Sequence, residues 1–241
     1  MMEPWKLQPA RDFGLPLSQR LRSVNREPGL IDTALHVLWW RIVRIYLVLA
    51  HRLCVEGWER LPPEPPFILV SNHQSHLDAL VLAAMLPWQN RIRTYPIAAM
   101  DTFFESPLTA AFAASTINAL PMQRGKAAVH ALDDLRTRLI EERCIYILFP
   151  EGTRSRDGTM APFKPGVGMF LAGTDVPVIP CHLHGTFEAL PPKRRVPRPT
   201  PIRLKIGEPM RFQDVPRGRE GWTQIAAALE SAVRSLAEKP G

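Results

Sequence analysis

The chain has 241 residues, of which 46% are hydrophobic and 22% charged. That balance excludes collagen, coiled coil and wholesale disorder, and the length suits one large domain or a domain with an appendage. Thirty Lys and Arg against 23 Asp and Glu leave a net charge of +7, which favours an anionic partner: a phosphate ligand, an anionic bilayer or a nucleic acid. The 25 prolines are about twice the usual share and punctuate loops. Three widely spaced cysteines, Cys54, Cys144 and Cys181, imply no disulfide framework and fit a reducing compartment.

Residues 1–29 are polar and broken by Pro4, Pro9, Pro16 and Pro28. They read as an irregular arm without the apolar region of a signal peptide. Residues 31–56 read as a helix. Leu35, Leu38, Trp39, Ile42, Tyr46 and Leu49 share one face at helical spacing. Val37, Trp40 and Val48 lie on the other side with Arg41 and Arg44. Those two charges interrupt the run, and a spanning helix needs about 20 apolar residues. Such a helix packs on protein or sinks into a bilayer interface; tryptophans beside arginines suit headgroup depth.

Beyond the proline-rich stretch 61–66, β-rich runs alternate with helical patterns. Strands are expected at Phe67–Val70, Thr94–Ala98, Thr116–Met122, Cys144–Phe149, Val176–His182 and Ile202–Ile206. Helices are expected near Asp78–Leu86, 106–115, Lys126–Ile140 and over a closing segment bearing Ile225, Leu229, Ala232, Val233 and Leu236. The alternation predicts an α/β fold with a central mixed, largely parallel sheet flanked by helices.

Two polar clusters each follow a hydrophobic strand. The first is Ser71-Asn-His-Gln-Ser-His-Leu-Asp78 and the second is Pro150-Glu-Gly-Thr-Arg-Ser155. Ligands of open α/β sheets bind beyond the carboxyl ends of strands. His73 suits a general base, and Asp78, five residues on, suits the carboxylate that orients it or an N-cap. There is no G-x-S-x-G elbow, so the base is expected to activate a substrate hydroxyl directly. Arg154, backbone N–H groups around Gly152, Lys164 and Arg124 suit a phosphate cradle. Backbone N–H groups near the first cluster are the candidate oxyanion donors.

Asn72-His73-x-x-x-x-Asp78 resembles the N-H-x-x-x-x-D block of the glycerolipid acyltransferases, and Phe149-Pro-Glu-Gly-Thr-Arg-Ser155 resembles their F-P-E-G-T-R-S block. Phe163-Lys164-Pro-Gly166 and Val176-Pro-Val-Ile-Pro180 resemble two further blocks in the same order. The resemblance covers about residues 67–182. It implies acyl transfer from acyl-CoA or acyl-carrier protein to a lysophospholipid hydroxyl, with 1-acylglycerol-3-phosphate as the default acceptor and a lyso-ornithine lipid as an alternative. It assigns His73 as general base and Asp78 as its partner, with Arg124, Glu151, Gly152, Thr153, Arg154 and Lys164 toward the acceptor phosphate. Arg124 follows Leu120-Pro-Met-Gln, where the family carries an aromatic or aliphatic pair. No metal and no cofactor is implied.

The implied organisation is an arm over 1–29, a membrane-docking helical segment over 30–60 and an α/β domain over 61–241. The expected location is the cytoplasmic face of the inner membrane. Two other classes compete. A zinc hydrolase would use His73, His76, Asp78, Cys181, His182 and His184, at a spacing that fits no defined zinc motif. A binding module would use Lys193, Arg194, Arg195, Arg198, Arg203 and Lys205, a stretch without stacking aromatics or a nucleic-acid motif. No nucleic-acid partner is therefore expected.

Overall fold

Phe67–Ser71 is buried at every position, because its side chains alternate between two helical layers: Phe67 and Leu69 enter one core, Ile68 and Val70 the other. Near-continuous apolar runs of this kind mark strands covered on both faces. In this computed structural model, which describes residues 14–16, 19, 30–99, 117–122 and 128–238, that strand lies at the centre of a sheet.

In chain order the elements are α1 (Leu30–His51), β1 (Cys54–Glu56), β2 (Phe67–Ser71), α2 (Leu77–Met85), α3 (Trp88–Arg91), β3 (Thr94–Ala99), β4 (Leu120–Met122), α4 (Ala128–Glu141), β5 (Ile145–Leu148), α5 (Gly166–Leu171), β6 (Val178–His184), α6 (Thr186–Ala189), β7 (Arg203–Ile206) and α7 (Arg219–Glu238). The described strands form one sheet in the order β1-β7-β6-β2-β5-β3-β4. The β6–β7 pair is antiparallel and every other neighbour pair is parallel. This is the mixed, largely parallel α/β architecture the sequence predicts. The arm, the expected helix over 106–115 and Arg124 lie outside the described residues, apart from the short pieces at 14–16 and 19.

One helical layer contains α1 and α2, with Trp40, Val43, Leu47, Val81 and Leu82 on the sheet. The other contains α4, α5 and α7, through Leu132, Leu135, Phe170, Ile225, Leu229 and Val233. The contact between α5 and α7 is close: a Cβ on Gly168 would stand 2.2 Å from the Trp222 carbonyl oxygen. Glycine is required there by proximity of backbone to backbone.

Two sequence expectations change. The first helix ends at His51, where Arg52 takes a left-handed conformation (φ 46°). Residues 54–56 instead pair with Arg203–Lys205 as an edge strand. The face of α1 that enters the core is also different. Trp40, Val43 and Leu47 are buried, whereas Leu38, Ile42, Tyr46 and Leu49 of the expected stripe are exposed, as are Ile45 and Val48. A helix apolar on both sides does not declare which side the sheet will take; α2 and the bulk of Trp40 decide it here.

Gly168→Ala is expected to destabilise the chain by about 1–3 kcal/mol in chemical denaturation, as overpacking does. Gly166→Ala, where a Cβ would meet nothing within 4 Å, is expected to be near neutral.

Candidate active site

Val70 of β2 pairs with Leu148 of the parallel strand β5, so both chains leave the sheet at one edge. Both polar clusters therefore open side by side, at the edge where α/β sheets take ligands. Asn72 begins the first cluster and is fully buried. Its side-chain N–H donates to the Leu183 carbonyl (2.9 Å), and its oxygen accepts from the Leu183 N–H (2.8 Å). The amide thus extends the β2–β6 ladder by one side-chain rung and fixes where the loop departs.

His73 and Asp78 come together. Asp78 is the second residue of α2 rather than its cap; the N-cap position falls to His76. Its carboxylate is fully buried, and one oxygen, Oδ2, accepts three donors: Nδ1 of His73 at 2.9 Å, the Gln74 N–H at 2.6 Å and the Ser75 N–H at 2.8 Å. An oxygen that receives two backbone N–H groups has no place for a proton of its own. Nδ1 of His73 therefore carries the shared hydrogen, and Nε2 is the ring nitrogen with the open lone pair. The helix N-terminus adds a favourable field for the carboxylate.

The second cluster grips the backbone of His73. The Glu151 carboxylate accepts the His73 N–H at 2.6 Å and the Ala161 N–H at 2.8 Å, one on each oxygen. The Ser155 N–H donates to the His73 carbonyl at 2.8 Å. The Phe149 ring stacks on the imidazole with centroids 4.1 Å apart and planes 17° apart. Gln74 donates to the Gly158 carbonyl at 2.6 Å. Burial raises the Glu151 carboxyl above the usual range, and the two backbone N–H groups partly offset this. Glu151, placed by resemblance toward the acceptor phosphate, thus has both oxygens engaged inside the protein as a strut between loops. The side chain of His73 retains 16% exposure, so the ring is open to a ligand.

Gly152 makes the turn with φ 71°, and its N–H closes on the Phe149 carbonyl at 3.0 Å. A Cβ there would stand 2.8 Å from Nζ of Lys164; the lysine lies across the glycine. Thr153 is exposed beside it and Arg154 is half-buried. Burial lowers Arg154 from its ordinary value, with attraction to Asp78 opposing. Partial burial first, then the Arg154 guanidinium and His73, lower His76 to about 4, with attraction to Asp78 opposing. Glu151, Gly152, Thr153, Arg154 and Lys164 thus share the edge with His73 and Asp78.

The N–H groups of His73, Gln74 and Ser75 are all consumed by the two carboxylates, so the expected oxyanion donors are not at those three positions. The two buried thiols, Cys144 and Cys181, are poor nucleophiles. Burial pushes Cys144 up to about 12 and also raises Cys181. Among the described residues, no group of three or more His, Cys, Asp or Glu is arranged to hold a metal ion.

A family model described as Acyltransferase matches residues 52–184. That is more than half of the chain and spans both clusters. The chain belongs to this acyltransferase family. It is 32% identical over 155 residues to the chloroplastic 1-acyl-sn-glycerol-3-phosphate acyltransferase BAT2 of Brassica napus, covering 63% of this chain and 42% of that protein. It is 29% identical over 144 residues to the human 1-acyl-sn-glycerol-3-phosphate acyltransferase alpha, covering 60% and 50% respectively. The chain spans about half the length of the curated relatives it matches. The crystal structure of the 1-acyl-sn-glycerophosphate acyltransferase PlsC from Thermotoga maritima superposes with a TM-score of 0.64 at 25% identity, covering 87% of this chain and 81% of that one.

Glu151→Gln replaces one accepting oxygen by an NH2 group, which then faces a backbone N–H donor to donor. The expected result is a loss of about 1.5–3 kcal/mol in urea unfolding. An unchanged midpoint would show that the strut carries no load.

Proposed function

We propose that the chain transfers an acyl group from a thioester, acyl-CoA or acyl-carrier protein, to the free hydroxyl of a lysophospholipid, with 1-acylglycerol-3-phosphate as acceptor. The observation that carries this reading is His73, hydrogen-bonded at Nδ1 to a buried carboxylate and clamped at its backbone by the neighbouring loop. The acceptor agrees with the names borne by the relatives.

In the proposed reaction, Nε2 of His73 takes the proton as the hydroxyl oxygen attacks the thioester carbonyl. Asp78 stabilises the imidazolium that forms. The tetrahedral intermediate collapses by breaking the C–S bond, and the thiolate leaves, with the imidazolium as its proton source. Each step is proton transfer or acyl transfer, so no metal or cofactor takes part. Arg154, Lys164, Thr153 and the Gly152 turn receive the acceptor phosphate, joined by Arg124. The phosphate then anchors the glycerol so that its hydroxyl meets Nε2, which is the positional advantage that binding a remote charge confers. Glu151 acts through His73 as a positioning residue.

A substrate held in a bilayer requires the edge to meet lipid. We assign that contact to α1, whose outer face carries Ile42 at 54% exposure, Ile45 at 59% and Leu49 at 75%, with Arg41 and Arg44 on the same helix. Among the described residues no helix is long and apolar enough to cross a membrane. An interfacial helix fits these features, and we propose that it docks the enzyme on the cytoplasmic face of the inner membrane, where lysophospholipid and soluble thioester donors meet.

His73→Ala is expected to lower turnover of 1-acylglycerol-3-phosphate by about 10² to 10⁴, the usual worth of a general base, and Asp78→Asn to cause a comparable loss; retained turnover in His73→Ala would overturn the reading. Ile45→Asp with Leu49→Asp is expected to reduce sedimentation with phospholipid vesicles severalfold while leaving the unfolding midpoint within about 0.5 kcal/mol, the range of exposed substitutions.

A further inference from the structure

The loop between α6 and β7, Leu190-Pro-Pro-Lys-Arg-Arg-Val-Pro-Arg-Pro-Thr-Pro-Ile202, is not used by the chemistry above. It follows α6 just past the carboxyl end of β6, which lies beside the catalytic edge, since β6 runs parallel to β2. Its start is tied to the catalytic loop: Ser75 Oγ donates to the Leu190 carbonyl at 2.9 Å. Its end is tied to the last turn of α1. The Ile202 N–H donates to the His51 carbonyl at 2.8 Å, and Nδ1 of His51 lies 3.0 Å from the Thr200 carbonyl. The Arg198 N–H donates to the Ala189 carbonyl at 2.8 Å. Five prolines stiffen what lies between.

The tip presents Lys193, Arg195 and Arg198, all exposed, around Val196, which is 71% exposed. None of the three cations has an acidic partner among the described residues, and no Asp or Glu occurs from Leu190 to Gly207. An exposed aliphatic side chain with cations on both sides of it in sequence, none with an acidic partner among the described residues, suits a surface that is anionic outside and apolar beneath, such as a leaflet containing anionic phospholipid. An acidic protein would satisfy the charges and leave Val196 without a reason. The exposed apolar residues Ile45, Val48 and Leu49 occupy the two α1 turns that end at His51, so the loop is fastened to the end of the helix already assigned to lipid.

We propose that loop 190–202 is a second bilayer contact, selective for anionic phospholipid, which together with α1 fixes the orientation of the catalytic edge toward the leaflet. This rests on the interfacial role of α1. The helix supplies apolar adhesion through Ile45, Val48 and Leu49, with Arg41 and Arg44 as its own two cations. The loop supplies most of the charge selectivity, and because it is bonded to both Ser75 and His51, it transmits its docking to the site as a rigid strap.

The test is sedimentation of the full chain with phosphatidylcholine vesicles and with vesicles that also contain phosphatidylglycerol. The variants are Lys193→Gln/Arg195→Gln/Arg198→Gln, Val196→Ser, and Ile45→Asp/Leu49→Asp. The triple variant is expected to lose about tenfold or more in partitioning onto phosphatidylglycerol vesicles, as removal of several surface cations should, and to match wild type on phosphatidylcholine. Wild-type binding to the anionic vesicles is expected to fall with added salt, an effect independent of any variant's folding. Equal binding of wild type and the triple variant on anionic vesicles, or salt-independent wild-type binding, overturns the proposal. If the helix variant alone loses binding, the loop proposal fails and the helix reading stands; if no variant loses binding, both fail. A triple variant with full vesicle binding but slowed turnover only with acyl-carrier-protein donor reassigns the loop to the acidic donor and overturns the lipid assignment.

Discussion

The site depends on one buried carboxylate. Asp78 has no exposure to water, and a bare charge at that depth is costly unless hydrogen bonds replace its hydration. Three donors converge on one of its oxygens, and two are N–H groups of the loop that carries His73. Charge-assisted bonds of this type contribute about 1.5–3 kcal/mol each. The same contacts that make the charge tolerable therefore fold the loop and set the imidazole. A second carboxylate repeats the device from the other side: Glu151 engages the His73 N–H. His73 is thus held at its ring, its N–H and its carbonyl by three different residues, none of which needs to move for a proton to arrive at Nε2.

The sheet explains why two segments about 75 residues apart act as one unit. Only adjacent parallel strands deliver their loops to the same edge in register, and β2 and β5 are such a pair. Placing β6 on the other flank of β2 adds Asn72 as a clamp and brings the α6–β7 loop alongside. The antiparallel return through β7 then leads to β1 and so back to the end of α1. In this topology the catalytic loop, the basic loop and the apolar helix all meet at one rim, which is the arrangement an enzyme working on a bilayer substrate requires.

Much of this was legible in the residues. Strands buried on both faces announce themselves as apolar runs, which is why β2, β5 and the apolar first half of β6 are located to within a few residues. The pairing of His73 with Asp78 follows from the turn into α2. Other features depend on partners that spacing does not reveal. Cys54–Glu56 is too short to declare itself a strand and exists because Arg203–Lys205 lies beside it. The inward face of α1 is ambiguous because the helix is apolar on both sides. Glu151 sits in a cation-bearing turn and reads as part of a ligand cradle; only the positions of the His73 and Ala161 N–H groups identify it as a strut. Phe149 and Asn72 open the two motifs, but the ring stacking on His73 and the side-chain rung to Leu183 are tertiary facts.

The most direct measurement is nitrogen-15 NMR of the histidine side chains in the intact chain at neutral pH. His73 is to be assigned by its loss in His73→Ala. The hydrogen bonds on Asp78 predict that the uncharged ring carries its hydrogen on Nδ1, with a bare Nε2, and that this tautomer balance changes in Asp78→Asn. A ring protonated at Nε2 in the wild-type chain, or a tautomer indifferent to Asp78→Asn, would contradict it.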